Sequence, residues 1–342
     1  MRNRRRSLLA VVAAAWCVQT ASAQDVTYDA AAVAAARAEF VERVVAEHGF
    51  DRADVESTLA GAAIDESILR SISRPAERVV PWHEYRAIFL TPARIEAGIE
   101  FWRSNAALVE SAAGRHGVEP ELLLAILGVE TLFGQRMGRY RVLDALSTLA
   151  FAYPPRAAFF ASELEAFLLM SREEGPHVLD ALGSYAGAMG AGQFIPSSFR
   201  AYAVDANGDG IRDLWNDWED ILASVANYLA VHGWRAGAPV AVPADKGRDW
   251  QGPEPGQGLD LNATVGGLAE AGYVFSTDLP TDAPALVFAL ERDASASEYW
   301  VGFHNFRVIT RYNRSVKYAL AAYELGTAIR DGYERASGSV LP

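Results

Sequence analysis

The residue whose setting most suggests chemistry is Glu130. It lies in a helix-forming run opened by Glu119-Pro120, in the middle of a stretch where Leu122, Leu123, Leu124, Ile126, Leu127, Val129 and Leu132 put apolar side chains nearly all the way round. A helix of that kind is buried. The neighbours on the face of Glu130 (Ile126, Leu127, Phe133 and Gly134) carry no charge. Desolvation there disfavours the charged carboxylate and should raise its pKa. An acid still protonated near neutral pH can protonate the leaving oxygen of a glycosidic bond. The plainer account is a glutamate neutralised by an arginine or by solvent, as structural pairs of this kind also occur.

A second constellation is Asp205-Ala-Asn207-Gly-Asp209-Gly210-Ile211. Oxygen ligands fall at the first, third and fifth positions, glycine at the sixth and a backbone carbonyl at the seventh, the opening of an EF-hand loop. The twelfth position, which should be Glu, is Asn216, so the match is incomplete. An all-oxygen cage favours Ca²⁺ over Mg²⁺. The competing account is an Asx-rich turn satisfied by its own backbone. A third feature is the glycine cluster Gly187, Gly190 and Gly192, which permits a tight backbone but is followed by no Gly-Lys-Ser/Thr, so a phosphate loop is excluded.

These groups must be positioned by a largely helical chain. Apolar spacing predicts helices over Ala30–Glu47, Asp54–Leu59 and Asp65–Ile72, then a Pro- and aromatic-bearing segment from Arg74 to Leu90. Thr91-Pro92 caps a helix expected to run to about Arg115, with Gly117 as its stop. The helix of Glu130 is expected to end at Gly134, and others follow over Leu143–Phe151, Ala157–Leu169, Ile221–His232 and Ser315–Asp331. From Arg235 to Gly258 Gly, Pro and Asp dominate, around the alternating piece 239–243. Ala285–Leu290 and Tyr299–Phe303 read as strands. The fold class is therefore mainly α. Residues 24–235 form its helical body, 236–303 a small, partly β insertion, and 304–342 a return to the helical core with a short tail.

Residues 1–23 stand apart. Arg2, Arg4, Arg5 and Arg6 precede a short apolar run from Leu8 to Trp16, and Ala21-Ser22-Ala23 is a small-x-small cleavage signal. This is the pattern of a secretory signal peptide, cut after Ala23. The apolar run is shorter than the roughly 20 residues a spanning helix needs. Bulky Trp16 argues against lipoprotein processing at Cys17. Cys17 is the single cysteine and leaves with the signal, so no disulfide or thiolate metal site is expected in the mature chain, which suits a periplasmic location. The chain carries a net charge of −12, and removal of the four arginines leaves 27 basic against 43 acidic residues. Nucleic acid is excluded as a partner, since its footprint would be basic. No later stretch is apolar enough to span a bilayer.

Four ordered segments now become recognisable. Leu124 to Gly134 with Val142 to Phe151, then Tyr185 to Ser198 with its Gly-Ala-Met-Gly-Ala-Gly-Gln193 core, Ser224 to Leu229 with His232-Gly-Trp234, and Val308 to Tyr318 resemble, in family order, the lytic murein transglycosylases of the B type, glycoside hydrolase family 103. The resemblance runs from about residue 40 to 330. It implies a lysozyme-like helical core with an added N-terminal helical lobe and a small β lobe. It implies cleavage of the β-1,4 bond between N-acetylmuramic acid and N-acetylglucosamine in peptidoglycan glycan strands. Glu130 would act as acid and then as base, closing a 1,6-anhydro ring without water and without a second catalytic carboxylate.

By motif position Ser184, Gln193, Tyr228, Tyr312, Asn313 and Tyr85 look like substrate-contacting residues, as amides, hydroxyls and aromatic faces suit a sugar groove. Ser184 could equally cap a turn, Tyr312 and Asn313 could close a loop, and Tyr85 could be core packing. The segment Tyr153-Pro-Pro-Arg156 departs from the family's Tyr-Pro-Arg-Arg. Only Arg156 is left to meet a stem-peptide carboxylate. The resemblance extends the metal loop, with Asp205, Asn207, Asp209 and the Ile211 carbonyl joined by Asp220, or by its rival Glu219. A structural Ca²⁺, no catalytic cofactor and a monomer are expected. A hydrolytic muramidase and a non-catalytic murein-binding protein remain alternatives, the latter disfavoured by an acid in so apolar a helix. A calcium sensor would need paired loops.

Overall fold

A computed structural model describes residues 28–73, 80–252, 254–256, 258–293 and 295–338. The segment 1–23, expected to be a signal peptide and holding Cys17, lies outside the described residues. Three helices open the described chain: α1 (Ala30–His48), α2 (Arg52–Ala60) and α3 (Glu66–Ile72). Each begins on an aspartate, Asp29, Asp51 or Asp65, whose side chain accepts first-turn backbone amides. Next come α4 (Trp82–Phe89), α5 (Pro92–Ser104), α6 (Ala106–His116) and α7 (Pro120–Thr131). Strand β1 (Tyr140–Arg141) leads into α8 (Val142–Ala152) and α9 (Ala157–Glu174), and β2 (Leu182–Gly183) pairs back antiparallel with β1. After α10 (Pro196–Tyr202) and α11 (Trp218–Val231) the chain turns to β structure.

Strands β3 (Ala241–Lys246), β4 (Ala263–Thr264), β5 (Tyr273–Val274), β6 (Pro284–Glu291) and β7 (Ser297–Gly302) form one antiparallel sheet in the order β4-β6-β7-β3-β5, with α12 (Val265–Glu270) between β4 and β5. Leu286, Phe288 and Leu290 alternate along β6 and pack into the helical core, where the ring of Phe288 stacks on Phe306 at 4.7 Å. Val265, Leu268, Tyr273, Ala285, Val301 and Phe303 fill a smaller core of their own. The chain then re-enters the helical body as α13 (His304–Tyr312) and α14 (Val316–Gly338).

The main core is built round α7, which is packed by α14, α5, α6 and α11. Leu123 through Leu127 are completely buried, as the all-round apolar pattern requires. Helices α8 and α9 form a second layer, on which α1 and α3 rest.

Three expectations need correction. The helix expected from Pro92 to Arg115 breaks at Asn105, where φ is −126° and the side-chain amide donates to the Phe101 carbonyl at 2.9 Å. Asparagine offers the backbone this alternative to helical bonding. Within the segment from Arg74 to Leu90, residues 74–79 lie outside the described residues, but 82–89 are helical, with Trp82 and Tyr85 buried three residues apart. Glu130 is not in the middle of its helix but in the last turn. Leu132 and Phe133 both take left-handed backbone (φ 51° and 55°), so α7 ends ahead of Gly134.

Candidate active site

The end of α7 is an unusual helix terminus. Left-handed backbone costs an L-residue roughly 1–2 kcal/mol, yet two non-glycine residues in succession adopt it here. Among the described residues the only other non-glycine with positive φ is Gln193, at 53°. These strained positions border one site, the pattern expected where surrounding structure over-determines the backbone. Phe133 is held by stacking on Phe101 at 5.3 Å. Its ring fits against α7 because residue 128 is glycine. A Cβ there would lie 3.0 Å from the Phe133 ring and 3.2 Å from Leu325.

Glu130, half-buried, receives a hydrogen bond from the Tyr318 hydroxyl to Oε1 at 2.6 Å. Tyr318 projects from the first turns of α14 and is 2% exposed. The Tyr312 hydroxyl, from the end of α13, donates to the Gly192 carbonyl at 2.6 Å. The Tyr228 hydroxyl, from α11, donates to the Arg311 carbonyl at 2.6 Å. Burial, then the charge of Glu130, pushes the Tyr312 and Tyr318 phenols well above the ordinary tyrosine range. Burial pushes Tyr228 up to about 12. All three are thus held protonated, as donors, throughout neutral pH. The rings of Tyr228 and Tyr312 meet edge-on at 4.8 Å, both against Phe194, and His232 stacks on Tyr228 at 4.2 Å.

The glycine segment forms the facing wall. Gly190 has φ +67°, and a Cβ on it would sit 2.3 Å from the Leu214 carbonyl oxygen, so no other residue fits. The Gln193 side-chain amide donates to the Met137 and Gly190 carbonyls at 3.1 and 3.0 Å. Thr131, next to Glu130, ties this wall to α7: its hydroxyl donates to the Ala191 carbonyl at 2.8 Å.

The structure therefore gathers Glu130, Gln193, Tyr228 and Tyr312. Asn313 directly follows Tyr312 as the cap of α13, and its carbonyl accepts from the Ser315 amide at 2.8 Å. Tyr85 is buried against Trp82 and Phe89 and lies close enough to Tyr318 to influence its titration. The Ser184 hydroxyl accepts from the Ala186 and Ala188 amides at 3.3 and 3.0 Å, the turn-capping geometry. Arg156 is exposed, its guanidinium 4.4 Å from the centre of the Phe159 ring. Tyr318 was not among the expected site residues. It closes the fourth motif, and its neighbours in α14, Ala319 to Ala322, give it the signature of a core residue.

In the acidic loop, Asp205 accepts from the amides of Gly208, Asp209 and Gly210, and Asp209 Oδ1 from that of Ile211. Asn207 reaches the Asp217 carboxylate at 2.8 Å. Asp220, 1% exposed, takes the Ala206 amide on one oxygen and the Asp213 amide on the other, at 2.7 and 2.9 Å. Burial, with Asp217 and Asp205 nearby, raises the Asp220 pKa. Among the described residues Asp205, Asp209, Asp217 and Asp220 form no ion pair; the adjacent Arg212 is engaged by Glu173 and Glu174. A concentration of carboxylates with all-oxygen donors and no basic partner fits a hard divalent cation. Asp217, which caps α11, was not among the expected ligands.

Comparison with known proteins places the chain among known enzymes. Residues 32–327 match the transglycosylase SLT domain family. Over 300 residues the chain is 41% identical to the membrane-bound lytic murein transglycosylase B of Escherichia coli K12, covering 85% of this chain and 81% of that protein. Among solved structures, the lytic transglycosylase SltB1 of Pseudomonas aeruginosa superposes with a TM-score of 0.82 at 44% identity, covering 86% of this chain and 97% of that one. The Escherichia coli lytic transglycosylase Slt35 in complex with calcium gives 0.77 at 40%, covering 87% and 93%. Pseudomonas aeruginosa SltB3 in complex with NAG-anhNAM-pentapeptide gives 0.74 at 29%, covering 87% and 80%. The fold is that of a lytic murein transglycosylase, an enzyme with a lysozyme-like, mainly α architecture. The chain belongs to the transglycosylase SLT domain family.

Proposed function

We propose that Glu130 is the single acid–base group of this peptidoglycan transglycosylase. It protonates the oxygen bridging N-acetylmuramic acid C1 to N-acetylglucosamine, and the C1–O bond breaks. The muramoyl C6 hydroxyl then attacks C1 and returns its proton to Glu130, closing a 1,6-anhydro ring. Atoms balance without water. The observation that carries this reading is the Tyr318 hydrogen bond at 2.6 Å, which fixes one carboxylate oxygen at the end of a buried helix. The segment 184–198, which packs against that helix end, contains no Asp or Glu, consistent with a mechanism that uses one carboxylate. Gln193, Tyr228, Tyr312 and Asn313 are assigned to the sugar groove, with Tyr85 and Ser184 as supports behind it. Arg156, exposed at the start of α9, is assigned to the stem peptide.

Digestion of purified peptidoglycan followed by mass spectrometry tests the assignment. The wild type should release products ending in 1,6-anhydromuramic acid, and Glu130→Gln should release none. Products one water heavier would make the enzyme a hydrolase, and release by the glutamine variant would remove Glu130 from the mechanism.

The acidic loop is assigned to a structural Ca²⁺ held by Asp205, Asn207, Asp209, the Ile211 carbonyl and Asp220, with Asp217 within reach. Support comes from the carboxylates without basic partners and from the calcium complex of the related Slt35. Among the described residues no helix is long and apolar enough to cross a membrane. The N-terminal segment assigns the enzyme to the periplasm, where it acts as a monomer on glycan strands.

A further inference from the structure

We propose that Thr131 is a positioning residue for the Glu130 carboxylate, acting through a closed circuit of hydrogen bonds rather than on the substrate. This rests on the assignment of Glu130 as the acid. The Thr131 side chain is buried, 1% exposed, and its hydroxyl has two tasks, one across the core and one in the turn that follows. It donates to the Ala191 carbonyl at 2.8 Å and accepts the Gly134 amide at 3.0 Å. The Leu127 carbonyl, the usual local partner of a helical threonine, is farther, at 3.4 Å. The hydroxyl hydrogen is therefore committed to the glycine wall rather than to its own helix.

Both tasks bear on the carboxylate next door. Accepting the Gly134 amide closes the turn that holds Leu132 and Phe133 in left-handed backbone immediately after Glu130. Donating to Ala191 sets the distance between the end of α7 and the wall. The circuit then continues: Gly192, next to Ala191, accepts the Tyr312 hydroxyl, the chain runs from Tyr312 into α14, and Tyr318 on α14 returns to Glu130. The carboxylate is thus located from two sides, through its own backbone by Thr131 and through its oxygen by Tyr318. Thr131 is the link that can be cut without removing a group from the tyrosine wall. A reacting geometry loosened by a fraction of an ångström lowers turnover while leaving ground-state binding nearly intact.

The experiment compares kcat and KM on soluble glycan strands for wild type, Thr131→Val, Thr131→Ala and Thr131→Ser, with a thermal melt of each. Glu130→Gln serves as the inactive reference. Thr148→Val is the control for loss of a buried hydroxyl, since Thr148 links α8 to the Ala63 carbonyl and the Asp65 amide, away from the site. The expected result is a kcat lowered about tenfold or more in the valine and alanine variants with KM nearly unchanged. Thr131→Ser should restore turnover, and Thr148→Val should melt lower yet keep the wild-type kcat. If Thr131→Val fails to fold, the alanine and serine pair decides. Wild-type kcat in Thr131→Ala, a loss confined to KM, or failure of serine to rescue would overturn the proposal. An active Glu130→Gln would overturn it together with the assignment beneath it, whereas an inactive Glu130→Gln beside a fully active Thr131→Ala would overturn the positioning role alone.

Discussion

Glu130 and Tyr318 illustrate how much one hydroxyl can decide. A hydrogen bond to a charged group contributes about 1.5–3 kcal/mol, and a tenfold rate change corresponds to about 1.4 kcal/mol. Tyr318→Phe keeps the buried ring and removes only the donor. It is expected to lower kcat by one to two orders of magnitude with little change in KM, measured on the same soluble glycan. An unchanged kcat would reduce Tyr318 to a packing residue. Because burial holds this phenol well above the ordinary tyrosine range, no alkaline loss of activity below pH 9 should trace to Tyr318. Glu130 stood out in the sequence through its apolar neighbours, and the ordered family motifs around it gave it the role of acid. Identification of Tyr318 needed the contact itself, between residues 188 positions apart.

At the scale of elements, the site is a meeting of helix ends. The C-terminal turn of α7, the last residues of α13 and the first turns of α14 converge on a glycine segment that has no regular structure of its own. Gly190 is the tightest point of that segment. Gly190→Ala combines a left-handed residue with a Cβ 2.3 Å from a backbone oxygen. It should cost more than the ~1 kcal/mol of a simple conformational mismatch and also lower activity. Urea unfolding with the wild-type m-value but a reduced midpoint would show this, and an unshifted midpoint would mean that the loop relaxes freely. Helix existence was legible because apolar side chains recur with helical period. The breaks at Asn105 and Leu132 were not, because periodicity continues across both. In the first case a side-chain amide competes for a backbone carbonyl, and in the second tertiary packing of Phe133 imposes the turn.

For the whole molecule, the proposed Ca²⁺ site in the acidic loop would couple metal, protons and stability. The folded-state pKa of Asp220 is raised, so the folded state binds more protons there than the unfolded chain. Without metal, the ionised carboxylate opposes folding increasingly as pH rises through that raised value. A Ca²⁺ ion held there would reverse the balance, since it would bind the ionised form. Added Ca²⁺ should therefore raise Tm at pH 7, by about 2.7 kcal/mol of stability at a hundredfold excess over Kd. The gain should shrink in acid, where protons compete for Asp220. Calorimetry in EDTA and in Ca²⁺ at both pH values tests this, and equal melting curves at pH 7 would exclude the ion. The Glu173–Arg200 pair between α9 and α10 behaves oppositely: the Arg200 hydrogen bond depresses the Glu173 pKa, so its contribution is present above the ordinary carboxylate range and is lost in acid.

The sequence alone determined what local pattern can carry: a mainly helical body, a small β excursion, a carboxylate among apolar neighbours, oxygen ligands at loop spacing, and four ordered motifs that name the family. Only the tertiary structure decided which groups meet. It stopped α7 one residue after Glu130 and turned Tyr318 out of an apparent core stripe onto the carboxylate. It gave Ser184 to a turn and set Asp217 beside Asn207. The physical reason is common to all four. Side-chain period reports which face of an element is buried, whereas a hydrogen bond across the core depends on the depth and rotation of two elements far apart in the chain, and a strained backbone persists only when packing elsewhere holds it.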